Sequence, residues 1–112
     1  MTDSRIKPAE CMTMAEVRHG IDRLDEQIVA LIGERFRYMD AAARIKPERG
    51  HVRDEARKAE VKANAREVAG RVGVPVDTID ALYEGLIEAS IAYELVEFDR
   101  HEEKVTAPAA VR

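Results

Sequence analysis

Val17, Ile21, Leu24, Ile28 and Leu31 follow one another at alternating steps of four and three, and the register continues through Arg35, Tyr38, Ala42 and Ile45. A long amphipathic helix places such a series on one face. The spacing predicts one helix from Thr13 to Lys46, about 50 Å long at about 1.5 Å per residue. A compact globule of 112 residues is roughly 34 Å across, from a radius of gyration near ~13 Å. One chain cannot cover such a helix, so a homodimer is the expected state. Within the seam, Arg35 stands where the pattern asks for an aliphatic residue. Lys46 lies 11 positions on, three turns plus roughly 20°, and shares that face with Met39 and Ala42. Cations in an apolar seam need a partner anion. Arg18 lies on the same helix about 25 Å from Arg35 along the axis, too far to reach the same small ligand from the same chain.

Composition narrows the class. The chain is 46% hydrophobic and 36% charged, with 6 Gly and 4 Pro, as expected of a single soluble helical domain, and no segment approaches a membrane span. A net charge of −4 argues against nucleic acid as the main partner, because phosphate binding needs a basic face. The opening MTDSRIKPAEC holds no apolar core of signal-peptide length, so the expected location is cytoplasmic. Cys11 is the lone cysteine and lies far in sequence from any His and Asp arrangement, so neither an intrachain disulfide nor a nucleophile is expected of it. His19, His51 and His101 form no metal-ligand spacing with a carboxylate pair, and no metal or organic cofactor is expected.

Residues 1–12 contain polar residues and a proline and are expected to form a mobile arm. Thr13 should cap the first helix, with Glu16 completing a capping box. Pro47 ends that helix, and the charged run from Pro47 to Gly50 reads as a loop, making residues 47–53 a candidate lid. A second helix is expected from Arg53 or Asp54 to Val72, with Val61, Ala65, Val68 and Val72 on its buried stripe and Arg57 on or beside it. Gly73 and Pro75 should end it. A third helix is expected from a cap at Asp77 to about His101. Its apolar face reads Ile79, Leu82, Leu86, Ala89, Tyr93 and Val96, and a neighbouring stripe reads Tyr83, Ile87, Ser90 and Glu94. Residues 13–103 thus form one helical domain and 104–112 a disordered tail. The expected fold is all-α, with three helices per chain in an intertwined homodimer.

Arg35, Lys46, Arg57, Ser90 and Glu94 all fall on or beside apolar stripes, and Arg18 flanks the seam. Buried unpaired charge is costly. Four cations against one carboxylate leave three positive charges over, which points to a small-molecule ligand with two carboxylates, each able to take a bidentate arginine. Arg18 fits this scheme if two copies of the long helix pack antiparallel, so that it enters the partner's pocket. Each position alone has a plainer reading: Arg18 paired with Asp22, Arg35 reaching solvent, or Glu94 paired with Lys46.

Val17-Arg18, Ile21-Asp22 and Leu24-Asp25, then Glu34-Arg35, Lys46, Val52-Arg53-Asp54 with Arg57, and Ile87-Glu88-Ala89-Ser90 with Glu94, closely resemble the all-helical chorismate mutase family. That family also contains the isochorismate pyruvate lyases of salicylate biosynthesis. The resemblance covers roughly residues 10–100 and needs little or no gap against the lyase branch. It implies that Arg18 is donated from the partner chain and that Arg35 and Arg57 hold the substrate's two carboxylates with it. It further implies that Lys46 contacts the breaking ether oxygen, that Asp54 binds the ring hydroxyl as in mutases, and that Ser90 lies near the ring and a carboxylate. Two positions depart from the pattern. Glu94 stands where most bacterial members have Gln, and Lys58 stands where many mutases carry a Glu used with the ring hydroxyl.

The rearrangement of chorismate to prephenate moves no proton to or from the protein, so it needs no general base. The enzyme must supply a clamped chair-like conformer and stabilise the negative charge that grows on the ether oxygen. Lys46 is a charged donor for that oxygen, whereas Glu94 can donate only when protonated. The expected function is a dimeric chorismate mutase of aromatic amino acid biosynthesis, with two equivalent pockets built from both chains. Isochorismate pyruvate lyase, using the same cations to eliminate pyruvate, is the nearest alternative. A non-catalytic helical dimer and a mutase for an amino-substituted chorismate are the others.

Overall fold

A computed structural model describes residues 4–106. Its elements are α1 (Met14–Ile45), α2 (Glu55–Val72) and α3 (Val76–Thr106), with single 3₁₀ turns at Pro8–Glu10 and Arg49–His51. The all-α, three-helix class is as the periodicity predicts. Among the described residues no helix is long and apolar enough to cross a membrane. The chain divides into two compact units between Arg37 and Tyr38, a point that α1 passes through.

In the first unit the start of α1 is built by its own side chains. Thr13 Oγ1 accepts from the Glu16 amide at 3.2 Å, while Glu16 Oε1 accepts from the amides of Met12 at 2.7 Å and Thr13 at 3.0 Å. Reciprocal capping of this kind satisfies amides that the first turn leaves without helical partners, and those donors hold the Glu16 carboxyl below its usual range. The segment before it, expected as a mobile arm, carries the Pro8–Glu10 turn and sets Ser4 Oγ 3.1 Å from His19 Nε2. Ile6, Pro8 and Cys11 face Val17, Ile21 and Leu24 of α1 across an apolar groove of about 510 Å³. Along the seam Ile21, Leu24, Ile28 and Leu31 remain 40% to 65% exposed.

The second unit has a core made of Ala43 from the end of α1, Val52, and Ile87, Ile91 and Phe98 of α3, flanked by Val61, Tyr83 and Leu95. Gly73, at φ 80°, turns α2 back into α3. Its amide and that of Val74 both return to the Ala69 carbonyl, the latter at 2.9 Å, and a left-handed residue is needed to bring them there. Pro75 then lets α3 start at Val76, with the Ile79 amide on the Pro75 carbonyl. Asp77 therefore lies in the first turn, where its charge suits the helix dipole, and is not the expected cap. The helix also continues past His101 to Thr106, taking in the first residues of the expected tail; residues 107–112 lie outside the described residues.

Two predicted stripes are displaced. On α3 the inward face is Ile87, Ser90, Ile91, Glu94 and Phe98, whereas Leu82 and Val96 of the expected apolar face are 62% and 50% exposed. On α2 the inward residues are Lys58, Val61, Ala65 and Ala69, and Val68 and Val72 point outward. A thin, alanine-rich helix offers two stripes of similar hydrophobicity, and its neighbour decides between them.

What its neighbour provides is a row of charges. Arg53 grips Glu88 with two hydrogen bonds of 2.6 and 3.1 Å; Lys58 donates to Glu88 and to Glu84, both at 2.8 Å. Lys62 donates to Glu84 at 3.0 Å and lies 3.4 Å from Asp80, which Arg66 holds at 2.5 Å. Cations at 58, 62 and 66 and anions at 88, 84 and 80 share one antiparallel register, each set in steps of four. The Arg53 guanidinium, followed by Lys58, depresses the Glu88 carboxyl from 4.5 to about 2, and Glu84 and Asp80 are lowered by the same ladder. The unfolded chain binds protons at these carboxylates before the folded one does. Stability should therefore fall as pH drops from about 5 towards about 2. Thermal unfolding followed by circular dichroism across that range should show the loss, and Glu88→Gln should flatten it. A wild-type melting temperature that is constant between about pH 6 and pH 3 would contradict the ladder's contribution.

Candidate functional site

Lys46 and Glu94 meet. The Lys46 amide still bonds to the Ala42 carbonyl at 2.9 Å, completing the last turn of α1 before Pro47 stops it. From there its ammonium donates to Glu94 Oε2 at 2.6 Å. Glu94 is 4% exposed, beside Ile91 and Phe98 on the inward face of α3. A carboxylate so enclosed needs its cation, and the pair is the plainest reading of either residue. Ser90, one turn earlier and 3% exposed, donates from Oγ to the Leu86 carbonyl at 2.7 Å. The two polar side chains predicted one turn apart thus stand on the buried face, and the lysine that follows α1 reaches the second of them.

Asp54 and Arg57 are joined differently from expectation. Asp54 caps α2, its Oδ1 accepting from the Arg57 amide at 3.0 Å, a bond that defines where the helix begins. Arg57 is not on the buried stripe. Its side chain is exposed in the first turn of α2 and its Nη1 lies 2.5 Å from Glu60 Oε1. Lys58, one residue on, holds the inward position and is tied to Glu84 and Glu88.

Arg18 and Arg35 belong to the first unit. Arg18 is exposed on the second turn of α1, and Arg35 is partly buried near the unit's end.

Sequence reasoning missed the residues that tie down the segment between α1 and α2. Arg49 grips Asp99 with bonds of 2.9 and 3.3 Å, Arg53 grips Glu88, and Val52 between them is 4% exposed in the core. The candidate lid of residues 47–53 is therefore a strap fastened to α3. A further link joins Tyr93, whose hydroxyl donates to Asp40 Oδ1 at 2.7 Å, a carboxylate that raises the phenol above its ordinary value. The steps of four at 58, 62, 66 and at 80, 84, 88 were the one signal in the sequence that could have revealed the ladder. Nothing local marks the Arg49–Asp99 or Asp40–Tyr93 pairs, whose partners are some fifty residues apart. Among the described residues no three His, Cys, Asp or Glu side chains are grouped so as to hold a metal ion.

Comparison with known proteins adds two findings. The family model described as chorismate mutase type II matches residues 17–95. The isochorismate pyruvate lyase of Pseudomonas aeruginosa is 28% identical over 88 residues, which cover 79% of this chain and 87% of that protein.

Proposed function

The chain belongs to the chorismate mutase type II family, and from that premise we propose that it eliminates pyruvate from isochorismate, leaving salicylate, in a homodimer whose pockets take residues from both copies. The single observation that carries a catalytic reading is the Lys46 ammonium held 2.6 Å from the enclosed Glu94 carboxylate. Such a donor, fixed before substrate arrives, can meet negative charge as it develops on the ether oxygen without reorganising. In the elimination the ring hydrogen passes to the methylene of the enolpyruvyl group as the ether bond breaks, and the ring becomes aromatic. No proton need enter or leave the protein. Arg35, Arg57 and the partner's Arg18 would clamp the two carboxylates, with Ser90 beside the ring and Glu94 orienting Lys46.

The lyase relative, matched over most of its own length, favours this reaction over rearrangement. So does one local feature: Lys58, which departs from the Glu that many mutases use with the ring hydroxyl, is held in the ion ladder by Glu84 and Glu88. Dimerisation is supported by the seam of Ile21, Leu24, Ile28 and Leu31, 40% to 65% exposed in the single chain, and by Leu82 and Val96 on α3. Burying such surface is worth roughly 25 cal/mol per Å².

Rearrangement of chorismate to prephenate is the second reading, favoured by the description of the matched family. Purified protein incubated with each substrate should release salicylate and pyruvate in equal amounts from isochorismate, with prephenate from chorismate slower or absent. Faster prephenate formation would overturn the lyase reading in favour of the mutase. No product from either would leave the non-catalytic dimer.

A further inference from the structure

The strap between α1 and α2 encircles part of α3. Glu88 and Asp99 are 11 residues apart, three turns plus roughly 20°, so they share one face of that helix. Glu94, six positions after Glu88, stands about 120° around the same axis. Ile87, Ile91 and Phe98 fall in the arc between. Lys46 therefore grips one flank of α3, Arg49 and Arg53 grip the other, and Val52 drops into the core from the stretch that crosses between them. Both arginine grips are bidentate, the geometry that fixes direction as well as distance.

We infer that Arg49 and Arg53 are positioning residues: a harness that, by holding the strap across α3, keeps the Lys46 ammonium against Glu94. Neither guanidinium faces the flank on which Lys46 and Glu94 meet. Their effect passes through the backbone of residues 47–52, which a 3₁₀ turn shortens by bonding His51 to Glu48 and Val52 to Arg49. Of the two clasps, Arg49–Asp99 is the cleaner to test, because Glu88 also serves the ladder through Lys58. The consequence for turnover rests on the function proposed above; the harness itself does not.

Three readouts separate them: hydrogen exchange at the His51 and Val52 amides, the exchange-slowed NMR signal of the Lys46 ammonium, and steady-state kinetics with isochorismate. Arg49→Ala should speed exchange at both amides roughly two- to fivefold, as expected for loss of an exposed pair, and weaken the ammonium signal. Exchange in the middle of α2 should not change. The charge exchange of Arg49→Asp with Asp99→Arg should restore both signals. Turnover should follow: a kcat lowered roughly two- to fivefold with KM unchanged in Arg49→Ala, and recovered in the exchanged pair. Unchanged amide exchange, or faster exchange with an unaltered ammonium signal, overturns the harness. If the two signals change but wild-type protein turns over neither isochorismate nor chorismate, the harness stands and the proposed function fails.

Discussion

Arg18→Ala and Lys46→Ala, each inactive as a homodimer, should recover about a quarter of wild-type activity when produced together in one cell. The recovery follows from where each residue would act. In a mixed dimer one pocket joins the intact Lys46 of the first variant to the intact Arg18 of the second, while the other pocket carries both defects. Random pairing makes half of the dimers mixed, each with one of two pockets complete. Each variant alone should fall by about 10²–10³, the usual cost of removing a charged donor aimed at the reacting group. A rise from that floor to a quarter is the largest effect expected of this protein. Activity that stays at the floor, with mixed dimers demonstrated by mass spectrometry, would show that the pocket is not shared.

Lys46→Ala should also lower stability, and a second substitution separates that effect from the loss of chemistry. Glu94 is 4% exposed, and its hydrogen-bonded cation would be gone. Breaking a buried pair from one side commonly costs about 3–5 kcal/mol, and since the Lys46 side chain is 29% exposed, about 1–3 kcal/mol is the expected loss. Adding Glu94→Ala removes the stranded carboxylate, so the double variant should regain much of the melting temperature. It should regain none of the activity, because the donor is still absent. Thermal unfolding and kcat measured on the two variants distinguish the outcomes. A double variant whose turnover recovered with its stability would mean that Lys46 acts only by neutralising Glu94.

Much of this arrangement was legible in the chain. The start of α1 was readable because Thr13 and Glu16 are three residues apart and complete each other's hydrogen bonds without help from elsewhere. Gly73 announced the end of α2 for a comparable reason, since its left-handed conformation is a local requirement. Lys46 and Glu94 stand out in the sequence because each falls on an apolar stripe, although their contact is only one of the readings open to them there. Asp77 misled because a side chain suited to capping says nothing of how Pro75 directs the backbone before it. Arg57 misled through its neighbour: two adjacent cations lie about 100° apart on a helix, and only the position of α3 decides that Lys58 turns inward.

The sequence by itself determined the three helices, the cap at Thr13, the end of α2 at Gly73 and the placing of ionisable groups on apolar stripes. All of these follow from hydrogen bonds and periodicities within about one turn of helix, where chain connectivity has already brought the groups together. The tertiary structure alone decided which stripe of α2 and α3 faces the core, which of Arg57 and Lys58 is buried, and that Arg49 and Arg53 fasten a strap across α3. These depend on pairs far apart in the chain, and their energies are set by burial and by the opposing charge that folding delivers, neither of which is written into either residue's own surroundings.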